Sequence, residues 1–415
     1  MTHSEASDPP TDRLFEIAGE LLAVDTQNPP GDTRALAEWV ETFFEDRGIE
    51  TRRVTTDPVK PNLVATIPGG SDRTLLFNGH MDTVPFDADE WTYDPFGERV
   101  DDRLYGRGAT DMKGPLAAIL YIAEQIAERD TEPPVSLAFA VVSDEETGGA
   151  AGVSTLDDNG VIDELDPDGC VIGETTCSGG RHSVTVADRG SIWLTLEAEG
   201  TAAHGSRPML GANAVDRLCA AIEFLRRRLS LRELPVDDAM GPIIDESAAY
   251  YEPTLGESAA ESLFVYPTVN LGTIEGGEAV NTVPGSAQAE LDIRLTAGVD
   301  TATVLADIRE CLDEHPAVSI ADVHWSVGSY VSVDSPLVEA VTETAATVVD
   351  DRIYRRSATG GGDAKTFRHA GVPTVEFAFG TDTVHAVDEY TTAAALRRTA
   401  AVYERLPAAF AESDQ

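Results

Sequence analysis

Apolar positions along the chain follow two rhythms. Near the N-terminus, short uninterrupted runs at 62–68, 74–77 and 135–142 alternate with stretches of helical period. The longest run, Val135-Ser-Leu-Ala-Phe-Ala-Val-Val142, has the length of a strand buried on both faces, well short of the roughly 20 residues a membrane helix needs. Residues 12–48 read as helices broken by a loop at Asn28-Pro-Pro-Gly31, and 114–129 as another helix. Strands alternating with helices predict a parallel or mixed sheet with helices on its faces.

The rhythm changes after Arg189-Gly190. Ile192, Leu194 and Leu196 alternate with Thr195 and Glu197, as in a strand with one wet face. A helix at 212–229, strands at 268–274 and 287–295, a helix at 302–314 and a strand at 320–330 complete a β-α-β-β-α-β order, the split ferredoxin-like unit. Residues 237–263 read as polar and irregular, with no role assigned. From Val333 the first rhythm returns: helix 336–348, a glycine loop, helix 363–370, strand 373–377 and a last helix at 391–411. The predicted fold is α/β. One domain, 1–189 and 331–415, carries a mixed, mostly parallel sheet flanked by helices. An inserted ferredoxin-like α+β lid domain spans 190–330. A length of 415 residues suits two cores better than one.

Charge adds a second constraint. Seventy-three acidic residues face 30 basic ones, a formal net charge of −43. The acids are spread along the whole chain, and only Lys60, Lys113 and Lys365 are lysines. Salt screens such repulsion over about 10 Å at 0.1 M and over less at higher concentration. The composition is therefore expected to reflect a salt-rich cytoplasm. A field this negative repels phosphates, so no nucleic-acid partner is expected. The start, Met1-Thr-His-Ser-Glu-Ala-Ser-Asp, has neither a basic segment nor an apolar one, so a cytoplasmic location with no membrane partner is expected. Cys170, Cys177, Cys219 and Cys311 form no CxxC pair and read as small apolar residues.

Five clusters of unusual residues fall at or near strand ends, where open α/β sheets bind ligands. In Gly79-His80-Met-Asp82-Thr-Val-Pro85, Asp82 can take the ring N–H of His80 and fix it as a metal ligand. In Tyr105-Gly-Arg-Gly-Ala-Thr-Asp111-Met-Lys113-Gly, Asp111 can either bridge two cations or cap the following helix. In Ser143-Asp144-Glu145-Glu146-Thr-Gly-Gly149, acids after the most apolar strand are either a solvated turn or compensated by positive charge. On an extended chain Glu145 and Glu146 point apart, so one can ligate while the other stays free as a general base. Glu174 in Gly173-Glu174-Thr and His385 in Thr383-Val-His385-Ala-Val-Asp388-Glu389 complete the set. Two imidazoles, three ligating carboxylates and a spare glutamate suit two divalent cations, zinc first and cobalt or manganese as alternatives. Such a pair shares a water and performs hydrolysis. Lys113 and Lys365 stand beside these motifs, and at least one of them is expected to shape the local field, chance placement being the alternative.

As an ordered set from about residue 12 to about 408, these motifs resemble the zinc metallopeptidases that include acetylornithine deacetylase, succinyl-diaminopimelate desuccinylase, aminoacylase and carboxypeptidase G. The resemblance implies that His80 and Glu174 hold one metal, Glu146 and His385 the other, and that Asp111 bridges. It implies Glu145 as general base and Asp82 as support for His80. Gly200-Thr-Ala-Ala-His204-Gly-Ser-Arg-Pro resembles the family segment whose histidine reaches a partner subunit's site, which implies a homodimer formed through the lid domain; a plain polar loop is the alternative. Asn281, Arg294 and the loop Gly360-Gly361-Gly362-Asp363 resemble substrate-binding positions; for Asn281 and Arg294 a strand-end cap and a surface ion pair are the alternatives. Glu rather than Asp at 174 resembles the deacylases and implies a small N-acyl amino acid as substrate, with peptides, cleaved by a dipeptidase or carboxypeptidase, as the alternative. A serine hydrolase finds no GxSxG support. A binding protein without catalysis would have had no need to keep Glu145.

Overall fold

A computed structural model describes residues 10–129, 131–177 and 180–413. Residues 1–9, expected from sequence to be free of a targeting segment, lie outside the described residues. The chain divides into two compact units. The first runs to Val186 and resumes at Val331–Arg356 and from Gly362; the second is Ala187–Tyr330 with Ser357–Gly361.

The first unit is built on a sheet whose centre is parallel. Thr74–His80 lies between Ser136–Val142 and Gly169–Ile172, and Thr374–Glu376 extends the parallel set beyond Gly169–Ile172. Asn62–Ile67 and Thr51–Val54 add an antiparallel margin on one side, and His182–Asp188 one on the other. His80 pairs with Val142, Asn78 with Ile172, and Ile172 with Glu376. This register brings the carboxyl ends of four strands into line, so the segments that leave them converge on one edge.

Both faces of these strands are covered, which explains their unbroken apolar runs. Leu76, Ala138, Ala140, Val142, Cys170 and Ile172 face Val153, Leu156, Val161, Ile162 and Phe367 from short helices. On the other face Phe77 stacks on Phe139 at 6.0 Å and meets Tyr403 at 5.2 Å. Each such fully buried side chain contributes about 1.5–3 kcal/mol. Lys113–Ala127 is buried on nearly every side, between the sheet and the helices Thr11–Leu22 and Ala393–Glu412. Separately, Tyr390–Thr392 joins the hairpin Glu98–Val100 and Arg103–Tyr105, which ties the segment after His385 to the segment before Asp111.

The second unit holds a four-stranded antiparallel sheet in the order Thr268–Gly276, Ser286–Leu295, Gly190–Glu199, Val318–Ser326. Helices Ala214–Ser230 and Thr301–Asp313 cover one face through Leu218, Ile222, Leu225, Leu305 and Ile308. This is the ferredoxin-like order. Two expectations fail here. The strand expected at 320–330 ends at Ser326, and Ser329–Tyr330 pairs elsewhere, with Asp188 and Ala187. The stretch 237–263 is not irregular: Gly241–Leu255 and Glu257–Ser262 are helices. Only Ile243 and Ser247 of the longer one are buried and Pro253 lies inside it, so its apolar stripe is too thin to read.

Candidate metal centre

Glycines let the strand ends approach the helix behind them. A β-carbon at Gly79 or at Gly173 would each come within 2.7 Å of the Met112 methyl group. His80, the last residue of its strand, and Glu174, two residues beyond the strand Gly169–Ile172, are thereby seated over the start of helix Lys113–Ala127. Asp111 does not cap that helix, whose N-cap is Met112. Its carboxylate faces two imidazoles from opposite oxygens: His80 Nε2 lies 3.3 Å from Oδ1, and His385 Nε2 lies 3.1 Å from Oδ2. His80 Nε2 is also 3.3 Å from Glu174 Oε1, and His385 Nε2 is 3.3 Å from Glu146 Oε2. His80 is 1% exposed, whereas 46% of the His385 side chain is accessible, so the cluster opens on the His385 side. His385 itself sits in the left-handed region at φ 61°.

His80 Nδ1 lies 2.9 Å from the Asp82 carbonyl oxygen, which can only accept. Nδ1 therefore carries a proton, and Nε2 is the nitrogen that faces the carboxylates. The Asp82 carboxylate, at 3.5 Å, is the more distant contact. It is spent elsewhere: Oδ1 accepts the Glu145 N–H and Oδ2 the Glu146 N–H, each at 3.2 Å. Support of His80 by Asp82 thus runs mainly through the main chain.

The acidic motif is not a solvated turn, since Asp144 is buried and Glu145 and Glu146 are half-buried. Nor is it extended. Asp144 is left-handed at φ 71°, and Glu145–Thr147 is a 3₁₀ turn. The two glutamates diverge because a turn of three residues separates adjacent side chains by about 120°, not because a strand alternates.

Burial and crowding shift the ionisations. Burial opposes charge on His80, but Asp111, Asp82 and Glu174 outweigh it and raise its pKa well above the ordinary value. His385 is raised to about 10 by Asp111 and Glu146. Asp111 is held below the usual carboxylate range because its two imidazole partners overcome burial. Glu174 is pushed up to about 8 by burial and Asp111, and Glu145 well up by burial, with Glu174, Asp111 and Glu146 adding to it. The anionic groups outnumber what the imidazoles can neutralise.

His80 Nε2, Asp111 Oδ1 and Glu146 Oε1 are buried and make no hydrogen bond. Ligand atoms of His80, Asp111 and Glu146 lie within 4.8 Å of one another, as do those of His80, Glu145 and Glu174. Orphaned buried polar atoms are costly, and a cation at such a point satisfies them. The residues fit a pair of divalent cations.

Sequence reading missed several members. Glu389, noted only as a neighbour of His385, accepts the N–H groups of Thr110 and Asp111 at 2.9 and 3.1 Å and pairs with buried Arg107 at 2.7 Å. Asn28 and Lys60 reach the acidic motif from more than 80 positions away. Lys113 is buried and donates to the Val24 carbonyl at 2.8 Å rather than to a carboxylate of the cluster; burial lowers its pKa to about 7.

Other expected site residues belong to the second unit. His204 is exposed, pairs in a two-residue ladder with Thr282, and shares Nδ1 with Ser206 Oγ at 2.8 Å. The neighbouring Gly205 N–H donates to the Asn281 carbonyl at 2.6 Å, so His204 and Asn281 share one corner. Arg294 is engaged by Asp292 at 2.7 Å, the ion pair its alternative reading named. Gly361 is exposed in the Ser357–Gly361 segment.

A carboxylate bridging two imidazole–carboxylate pairs, at the carboxyl edge of a parallel sheet, defines a metallohydrolase. Residues 76–409 match Peptidase family M20/M25/M40, and the chain belongs to that family. It is a metal-dependent hydrolase of amide bonds. The probable succinyl-diaminopimelate desuccinylase of Staphylococcus epidermidis is 29% identical over 394 residues, covering 91% of this chain and 92% of that one. The succinyl-diaminopimelate desuccinylase of Acidiphilium cryptum is 29% identical over 350 residues, 83% of this chain and 85% of that one. The fold is shared with the M20 family metallo-carboxypeptidase Sso-CP2 of Sulfolobus solfataricus, TM-score 0.80 at 22% identity over 96% of this chain and 99% of that one. It is shared also with the Bacillus subtilis YXEP protein, a dinuclear metal binding peptidase, TM-score 0.64 at 16% identity over 96% and 97% of the two chains.

Proposed function

We propose that this chain removes the acyl group from a small N-acyl amino acid of the acetyl or succinyl type, using two divalent cations, zinc by preference. One observation carries the two-cation reading: His80 and His385 approach opposite oxygens of Asp111 at 3.3 and 3.1 Å. His80 and Glu174 would hold one cation and Glu146 and His385 the other, with Asp111 shared between them. The mixed oxygen and imidazole donors favour zinc, with cobalt or manganese able to substitute. The names of the desuccinylase relatives and the glutamate at 174 support an N-acyl amino acid.

When bound, two such cations acidify a shared water towards neutral pKa and polarise the scissile carbonyl. Glu145 is the general base. Its half-buried carboxylate, beside His80 and Glu174, suits a group that takes a proton from water and returns it to the leaving amine. Asp82 keeps the His80 proton on Nδ1. His204, Asn281, Arg294 and Gly361 are assigned to the substrate, His204 at the developing oxyanion. We propose further that the 190–330 domain is a lid that pairs two copies, placing His204 in the partner's site. Among the described residues no helix is long and apolar enough to cross a membrane. A salt-rich cytoplasm accounts for the charge of −43.

The test is hydrolysis of an acetyl-, succinyl- and benzoyl-amino-acid panel beside dipeptides, with and without chelator in molar KCl. Metal-dependent release from acyl amino acids is expected. Metal-dependent cleavage of peptides alone would replace the deacylase with a peptidase, and equal turnover after complete chelation would refute the mechanism.

A further inference from the structure

The acidic turn is gripped from behind by three consecutive residues that the proposed mechanism leaves unused. The Ser143 hydroxyl donates to the Pro61 carbonyl at 2.8 Å. Asn62 accepts the Ser143 N–H at 2.9 Å and donates to the Ala151 carbonyl at 2.8 Å, so it spans both ends of the loop. Lys60 pairs with Asp144 and also donates to Asn28 Oδ1 at 3.2 Å.

Asp144 is the hub of this arrangement. Its carboxylate accepts from Lys60, from Asn28 Nδ2 at 3.0 Å, from Thr147 Oγ1 at 2.7 Å and from the Ala151 N–H at 2.9 Å. Asn28, itself 2% exposed, also donates to Asp82 Oδ2 at 2.8 Å. One amide thus stands between two carboxylates that are 0% and 5% exposed, Asp82 and Asp144. Two buried like charges around a neutral amide need a counter-charge. Lys60, with 14% of its side chain accessible, supplies it. Asp82 passes the constraint on, because its oxygens hold the N–H groups of Glu145 and Glu146.

We propose that Lys60 is a positioning residue for one of the two cation positions. Through Asp144, Asn28 and Asp82 it fixes the 144–147 turn, so that Glu146 meets the His385 side while Glu145 faces His80 and Glu174. The His80–Glu174 side draws its ligands from segments packed over Met112, and His80 meets Asp82 chiefly at the main-chain carbonyl oxygen, at 2.9 Å, rather than at the carboxylate that carries this relay. The inference rests on the two-cation reading of the site. It predicts that loss of Lys60 weakens one cation selectively. Because the pair is largely buried, molar salt does not replace it.

The experiment titrates metal-free, full-length protein with Co²⁺, read by the visible absorption of bound cobalt and checked by elemental analysis, for wild type, Lys60→Met and Lys60→Arg. Two equivalents are expected in the wild type. Lys60→Met should weaken one of them about 10–100-fold, the usual effect of removing support behind a ligand, and leave the other within about twofold. Lys60→Arg should restore most of the loss. Equal weakening of both equivalents, wild-type binding with only a lower melting temperature, or no rescue by arginine would each overturn the assignment. Should Lys60→Met fail to fold, Asp144→Asn removes the same ion pair and carries the same expectations. A wild type that takes fewer than two equivalents overturns the two-cation reading itself; a Lys60→Met protein that takes both normally overturns this inference alone.

Discussion

Glu145 and Glu146 are adjacent and chemically identical, so exchanging their consequences is a demanding test. Glu145→Gln keeps the shape of the side chain and removes the base. The turn itself is held by main-chain N–H groups on Asp82 at 3.2 Å, and neither depends on the Glu145 carboxylate. The fold and both cations should therefore persist. A general base contributes about 10²–10⁴-fold, which at about 1.4 kcal/mol per tenfold is about 3–5 kcal/mol of transition-state stabilisation. The loss should fall on kcat and be indifferent to added metal. Stability should move the opposite way. Burial, with Glu174, Asp111 and Glu146, raises the Glu145 pKa. A carboxyl raised in the folded state opposes folding above its unfolded pKa of about 4.3, so metal-free Glu145→Gln should melt higher than wild type at pH 7, and the difference should vanish below about pH 4.3. Glu146→Ala should instead lose a cation and regain part of its activity with excess metal. The assay is kcat and KM beside metal content and melting curves for each variant. If Glu145→Gln loses a cation while Glu146→Ala keeps both, the reasoning is wrong and the roles are reversed.

Three further outcomes are expected. Buried Glu124 is bridged by Arg13 at 2.7 Å and by Arg47, which together overcome burial and lower its pKa; Glu124→Gln should reduce stability at pH 7, by a margin that shrinks as pH falls below about 4.3, and an equal margin at pH 3 would contradict this. Seventy-three acids against 30 basic residues should make the melting temperature rise with KCl; the same value in dilute buffer and in molar salt would remove the halophilic reading. Mixing inactive His204→Ala with inactive Glu145→Gln should regain activity in heterodimers holding one complete composite site, and none regained despite proven subunit exchange would detach His204 from a partner's site.

The strands were legible because both of their faces are buried, which leaves unbroken apolar runs at 74–77 and 135–142. The cluster was legible because the parallel register brings the ends of those runs to one edge, so motifs dispersed along the sequence could be gathered before any distance was known. Local geometry was not. Asp144 at φ 71° turns the acidic motif into a 3₁₀ turn, and no pattern of apolar residues records a single left-handed aspartate. Support from a distance was also hidden. Asn28 lies 116 positions from Asp144 and Glu389 lies 278 from Asp111, separations that carry no periodic signal. The helix at Gly241–Leu255 escaped for the converse reason: it buries too little to leave a stripe.

The central claim is that Asp111 bridges two cations, one on His80 and Glu174, the other on Glu146 and His385. Anomalous diffraction at the zinc edge from crystals of the zinc-loaded protein tests it directly. Two peaks are predicted, about 3.5–4 Å apart as in other two-metal sites, on either side of the Asp111 carboxylate. A single peak, or peaks that do not share Asp111, would contradict the account.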